Sequence, residues 1–229
     1  MLAWRMYAED NRDELPFAYA TSGQNQVYVW VKGYLDATQP NLTDNWDLSR
    51  TIQASLIWPY CGNSVGIFHC PADTSYGING QGERVPRPRS VSMSNWVGGN
   101  GDSPQTQYRG GWGLTKNYVV VRKATGFLNP GPAMTFVFLD ERQDSINDGY
   151  FVVQMDGYPD PNAARIVDYP ASYHHRAAGF AFADGHSEIH RWRDSRTMPP
   201  ITAQLQLNVA STNNPDVLWL QDHSTRSSD

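Results

Sequence analysis

The sequence predicts an α+β domain, in which one short helix at the start of the chain packs on an antiparallel sheet whose strands are joined by long loops. Three observations carry that expectation. Apolar residues fall at helical spacing over Leu2, Ala3, Trp4, Met6, Tyr7 and Ala8 and again at Leu48, Ile52 and Leu56, whereas elsewhere they come in short β-branched and aromatic runs. The 19 glycines and 15 prolines that punctuate those runs favour tight turns over the long crossovers a parallel sheet needs. Charged residues make up 18% of the chain, below the ~25% of ordinary domains, while 8 tryptophans and 12 tyrosines supply bulky core material.

At 229 residues the chain has the length of one large domain and can bury a core without staples. Its 18 basic and 23 acidic groups give a net charge of −5 with histidine neutral. That balance argues against nucleic acid and against an anionic membrane surface as partners, since both need a basic face.

The first helix is expected over residues 2–10. No Ser, Thr, Asp or Asn precedes it as a cap, and it runs through Glu9, Asp10, Asn11, Asp13 and Glu14 until Leu15-Pro16 stops it. Residues 26–35 alternate Val27, Val29 and Val31 with Tyr28, Trp30 and Lys32, the period of a strand. Thr43-Asp44-Asn45 offers caps for a helix through Leu48, Ile52 and Leu56, closed by Pro59. Further strands are expected at 90–97, 117–123, 133–139, 150–155, 179–183 and 187–192, with Gly98 to Gly113 as a glycine-rich surface loop. Met1-Leu2-Ala3-Trp4-Arg5 has neither the basic nor the apolar region of an export signal. The run from Gly126 to Leu139 is too short, and too broken by Asn129, Pro130 and Pro132, to span a membrane.

Four stretches carry potential chemistry. Cys61 and Cys70, nine positions apart, are the only cysteines. Such a pair reads as a small-loop disulfide formed in an oxidising compartment, with two reduced, buried thiols as the alternative. Between them, Gly62-Asn63-Ser64-Val65-Gly66 has the spacing of a nucleophile elbow but follows a helix end rather than a strand, so it reads as a turn. Asp140, Glu141, Asp144, Asn147 and Asp148 crowd behind an apolar strand. Their oxygens suit calcium, while Asx-turn hydrogen bonding and a glycosidase pair at Asp140/Glu141 are the other readings. His174 is followed, after nine residues, by Asp184-Gly185 and then His186. Phe180 and Phe182 mark one face of a strand, Asp184-Gly185 a tight turn, and Ile189 and Trp192 the return strand, so His174 is expected to reach across and brace that hairpin. A zinc cluster of His174, Asp184, His186 and His190 lacks the ligand spacing of known zinc signatures.

Taken in order, several of these blocks resemble prepilin-type proteins with a C-terminal His-nine-residues-Asp-Gly motif, similar to type IV pilins and the major pseudopilins of type II secretion. The resembling blocks are Trp4 to Asn11 with Leu15-Pro16, Trp58-Pro59-Tyr60-Cys61, Phe68 to Asp73, Leu139-Asp140-Glu141 with Asp144 to Gly149, Tyr169 to His174, and Phe182 to His186. His175 departs from the asparagine that follows the motif histidine in that family. The resemblance implies that residues 1–16 end a long helix whose upstream part first anchors the precursor in the inner membrane and then forms a filament core. Residues 17–229 would be a single head. It further implies a non-catalytic structural subunit packed against copies of itself or other pilins. Such a subunit is handled by a pilus or secretion assembly machinery and lies in the periplasm or on the cell surface. Calcium in a head loop would fall on Asp140 to Asp148. The competing reading, drawn from the aromatic content and the Asp140/Glu141 pair, is a secreted carbohydrate-binding module or glycosidase.

Overall fold

The computed structural model describes residues 1–20, 27–101, 118–202 and 205–228. Gln26, Asn117 and the expected loop beyond Gly101 lie outside them. The chain is a mixed α and β structure, with α1 (Leu2–Asp10) first and α2 (Pro215–Asp222) last. Between them lie β1 (Tyr76–Ile78), β2 (Arg84–Pro86), β3 (Val91–Ser94), β4 (Phe136–Asp140), β5 (Tyr150–Phe151), β6 (Arg165–Ile166), β7 (Ala177–Phe182), β8 (Ser187–Arg191) and β9 (Val209–Ala210). No helix among the described residues is long and apolar enough to cross a membrane.

The main sheet has the order β5-β3-β4-β7-β8. Three of its four pairings, β3 with β4, β4 with β7 and β7 with β8, are antiparallel as expected. The edge pair β3–β5 is parallel, because the segment after β4 crosses β3 and β5 then runs in the direction of β3. β1–β2 and β6–β9 form two small separate ladders. The faces of the main sheet bury different cores. On one side, Trp4, Tyr7 and Ala8 of α1 pack with Trp30, Phe68, Val137 and Phe138. On the other, Phe136, Phe180 and Phe182 pack with Trp96, Trp192 and Leu220. Along β7 the aromatic residues take the second face and Ala177, Gly179 and Ala181 take the first, the alternation a strand imposes.

Several expected elements are shorter or absent. α1 ends at Asp10, before Leu15-Pro16, because Arg12 and Asp13 adopt left-handed φ of 58° and 70° and the Asp13 N–H turns back to the Ala8 carbonyl. The strand expected over 26–35 is reduced to a single bridge between Val29 and Phe17. Val29, Trp30 and Val31 are all buried there, so the alternation in sequence does not become alternation in exposure. The helix expected from Thr43 to Pro59 is instead a chain of turns. Its hydroxyls compete for backbone groups: Thr51 donates to the Asp47 carbonyl, Ser55 to the Ile52 carbonyl, and the Asp47 carboxylate accepts from both the N–H and the hydroxyl of Ser49. The 117–123 segment makes isolated bridges at Tyr118, Val121 and Lys123. α2 has a signal in plain sight, Asn214 before Pro215, where the asparagine side chain accepts from the Asp216 N–H at 2.9 Å.

Candidate functional site

Cys70, Asp140 and His174 come from three separate segments and meet at the His174 end of β7. Cys70 follows a 3₁₀ turn, Val65–Phe68, whose Phe68 is buried in the core, and its N–H donates to Ser90 Oγ at 2.7 Å. Asp140 is the last residue of β4. Its Oδ2 accepts from the Gly179 N–H at 3.2 Å on the neighbouring strand, and a Cβ at Gly179 would stand 3.0 Å from that oxygen. His174 lies in the turn before β7, where His175 and Arg176 take left-handed φ of 53° and 68°. The turn aims the imidazole back across the sheet. His174 Nε2 lies 3.3 Å from Cys70 Sγ and 3.7 Å from Asp140 Oδ2. One oxygen, nitrogen or sulfur of each residue lies within 4.8 Å of the other two. Cys70 is buried, and Asp140 and His174 are half-buried. Burial is the main influence pushing the Cys70 thiol and the Asp140 carboxyl above their ordinary ranges.

Asp140 and His174 open onto a cleft of about 610 Å³ between the start of α1 and the β4–β7–β8 face. Its walls are largely apolar, from Trp4, Trp30, Ile57, Phe68, Phe138 and Ile189, with Ser187 and Glu188 at the β8 side.

The expected site residues are distributed otherwise. Cys61 and Cys70 are free, buried thiols rather than a disulfide; Cys61 Sγ donates to the Ile57 carbonyl at 3.1 Å, whereas Cys70 faces His174. The five residues expected to offer oxygens to calcium do not converge. Asp140 and Glu141 are consecutive and leave the strand on opposite sides. Glu141 is fully buried and accepts from Ser145 Oγ at 2.7 Å. Asp144 is clamped by Arg142, with Nε at 2.6 Å and Nη2 at 2.9 Å, and accepts from the Thr202 N–H. Asn147 Oδ1 accepts from the Asp148 N–H, and Asp148 Oδ1 from the Tyr150 N–H. Turn hydrogen bonding, one of the readings open at the sequence level, therefore occupies most of this loop. Among the described residues, Cys70–Asp140–His174 is the one group of three His, Cys, Asp or Glu side chains close enough to share an ion.

Behind the loop lies a buried carboxylate cluster. Burial is the main cause that pushes Glu141 up to about 8, Asp148 up to about 7 and Asp168 well above the carboxylate range; the charge of Glu141 adds to the shift at Asp168. The Arg89 guanidinium, also fully buried and pushed down to about 10 by burial, donates to the carbonyls of Val91, Asn147 and Asp148 and to Ser92 Oγ.

In the motif's second half the side chains pair locally, while the Asp184 backbone accepts from Arg5 Nη1 at 3.1 Å and donates to the Pro132 carbonyl at 3.3 Å. Asp184 Oδ1 accepts from the His186 N–H at 3.1 Å and pairs with its ring Nδ1 at 2.6 Å, and Gly185 takes φ of 102° at the tip of the β7–β8 hairpin. His174 therefore does not brace that turn. Nor do the histidines cluster: His186 stacks on Phe182 and His190 on Trp219, at 4.4 Å and 3.7 Å between ring centroids. The Ser64 segment is a pair of turns with no strand before it. All three members of the cluster stand out in the sequence, but each with another partner: Cys70 with Cys61, Asp140 with the acidic loop and His174 with the Asp184-Gly185 turn. The signal for Cys70 was its place inside a resembling block rather than its distance from Cys61. Comparison with protein families, with curated proteins and with solved structures gives no match.

Proposed function

We propose that the chain is a structural subunit of a pilus-like or secretion pseudopilus filament, working by packing and without catalysis. The observation that carries this reading is the two-sided character of α1. Trp4, Tyr7 and Ala8 face the core, while Leu2, 73% exposed, and Met6, 41% exposed, stand one turn apart on another side. A short helix with apolar residues on two sides is suited to packing against two bodies at once. One is its own head, and the resemblance supplies the other, the equivalent helix of a neighbouring subunit. The carbohydrate reading draws less support, since Trp96 and Trp192 are buried in the core, Trp4 and Trp30 at the cleft wall are each only 1% exposed, and the Asp140/Glu141 carboxyls do not face a common space.

Immunogold microscopy of filaments sheared from producing cells, with serum raised against this chain, tests the proposal. Label along the filaments is expected, and a Leu2→Glu/Met6→Glu variant should lose it while the head keeps its melting temperature. Filaments that stay unlabelled while the protein accumulates in soluble form would overturn the reading.

A further inference from the structure

We propose that Cys70, Asp140 and His174 form a binding site for one zinc-like divalent transition-metal ion, with its remaining coordination position open to the cleft beside α1. This goes beyond the filament reading and does not depend on it.

The donor set is one such an ion takes: a thiolate, an imidazole and a carboxylate. With Zn–S near ~2.3 Å and Zn–N or Zn–O near ~2.0 Å, tetrahedral angles separate ligand atoms by roughly 3.3–3.6 Å. The sulfur and oxygen stand 3.3 Å and 3.7 Å from His174 Nε2, so little movement brings all three onto one ion. Both contacts run to the same ring nitrogen. That arrangement is poor for a thiol–imidazole–carboxylate relay, which needs the acid on one nitrogen and the thiol on the other. A metal, by contrast, uses one nitrogen lone pair and gathers sulfur and oxygen around it.

The supports are built in as well. Ser90 holds the Cys70 backbone, the Gly179 N–H holds Asp140 Oδ2, and the absence of a side chain at Gly179 leaves that carboxylate its place. A divalent cation that displaced the protons of Cys70 and Asp140 would be balanced by the resulting thiolate and carboxylate, with the imidazole as an uncharged third ligand. Asp140 and His174 line the cleft, which has room for a water or an incoming donor in the fourth position.

The test is cobalt titration of the purified chain after chelator treatment. One equivalent should bind, with a thiolate-to-cobalt charge-transfer band in the near ultraviolet, and zinc should displace it. Cys70→Ser should abolish the band. His174→Gln and Asp140→Asn should weaken binding by more than the ~10-fold typical of losing a supporting contact, and Gly179→Ala should weaken it by about that tenfold. His186→Gln, outside the cluster, should leave the titration unchanged. A wild-type protein that shows no band in excess cobalt overturns the site, whether or not any variant folds. So does binding that survives Cys70→Ser, or a purified protein whose two thiols resist alkylation under denaturing, non-reducing conditions because Cys61 and Cys70 are bonded.

Discussion

At the start of β7, His174 is turned toward side chains from two other parts of the chain. At its finish, Asp184 and Gly185 are answered by the neighbouring His186 and by the hairpin itself. The same nine-residue spacing joins both. β7 has six residues, and at ~3.3 Å each they separate the two ends by roughly 20 Å, too far for a side-chain contact. The spacing thus encodes the length of a strand and not a bond across it. One end gathers side chains from distant segments and opens on a cleft; at the other the Asp184 side chain is paired locally, and only its backbone reaches Arg5 and Pro132. The carboxylates divide the same way. Asp184 lies at the surface and its pKa is lowered, chiefly by the His186 N–H, whereas Asp148, in the loop that leaves the His174 end of the sheet, is buried and pushed up to about 7.

If β7 is a rigid spacer between two independent ends, its midpoint should matter most to stability. Phe180 is 2% exposed and packs edge-on against Phe136, Trp192 and Trp219. Phe180→Ala should lower unfolding free energy by about 3–5 kcal/mol in urea denaturation, from lost contact and the cavity left behind. A loss below about 1 kcal/mol would mean that the strand is not the spacer.

Titration should separate the ends by sign. Asp148 binds its proton more tightly folded than unfolded, so its contribution to stability is complete below its ordinary carboxylate pKa and is lost as pH rises through about 7. Glu141 and Asp168 act in the same direction, and the buried Arg89 charge offsets only part of the upward shift at Glu141 and Asp148. Melting temperature should therefore fall between about pH 5 and about pH 8, and Asp148→Asn, which keeps an acceptor for the Tyr150 N–H, should flatten that fall. Asp184→Asn should do the reverse on a smaller scale, removing stability that is present above the ordinary carboxylate pKa and lost on acidification. A profile unchanged by Asp148→Asn would refute the buried-cluster side of the contrast.

What could be read from the sequence followed how local the determinants were. The β7–β8 hairpin, the short β3 and β4 strands and the start of α1 rest on periodicity and turn residues within a few positions, and they form. The Thr43–Pro59 helix had the right apolar spacing but too many hydroxyl and carboxylate groups able to bond the backbone themselves. Residues 27–31 alternated like a strand, yet among the described residues they pair only through the bridge from Val29 to Phe17. The cluster was the least legible part, because it depends on which side of β4 Asp140 leaves and on left-handed turns at His175 and Arg176. Neither is fixed by spacing along the chain. The proximity of Cys61 and Cys70 in sequence pointed to a bond between them, while tertiary packing gives each thiol a different neighbour.

The finest contrast lies between two glycines, Gly179 within β7 beside Asp140 and Gly185 in the turn that follows the strand. Gly185 adopts φ of 102°, where any Cβ is strained, but the nearest atom a Cβ would meet is the flexible tip of Arg5 at 3.2 Å. Gly185→Ala should therefore cost about 1 kcal/mol or somewhat more through backbone strain, with cobalt binding untouched. Gly179 needs no left-handed backbone, and its added Cβ would press on Asp140 Oδ2. Gly179→Ala should accordingly change stability less than Gly185→Ala does and metal affinity more. Measuring both variants by urea denaturation and cobalt titration gives a crossed pattern if the two ends are separate devices. Parallel losses in both assays would show that the ends of β7 act as one unit and that the contrast between them is false.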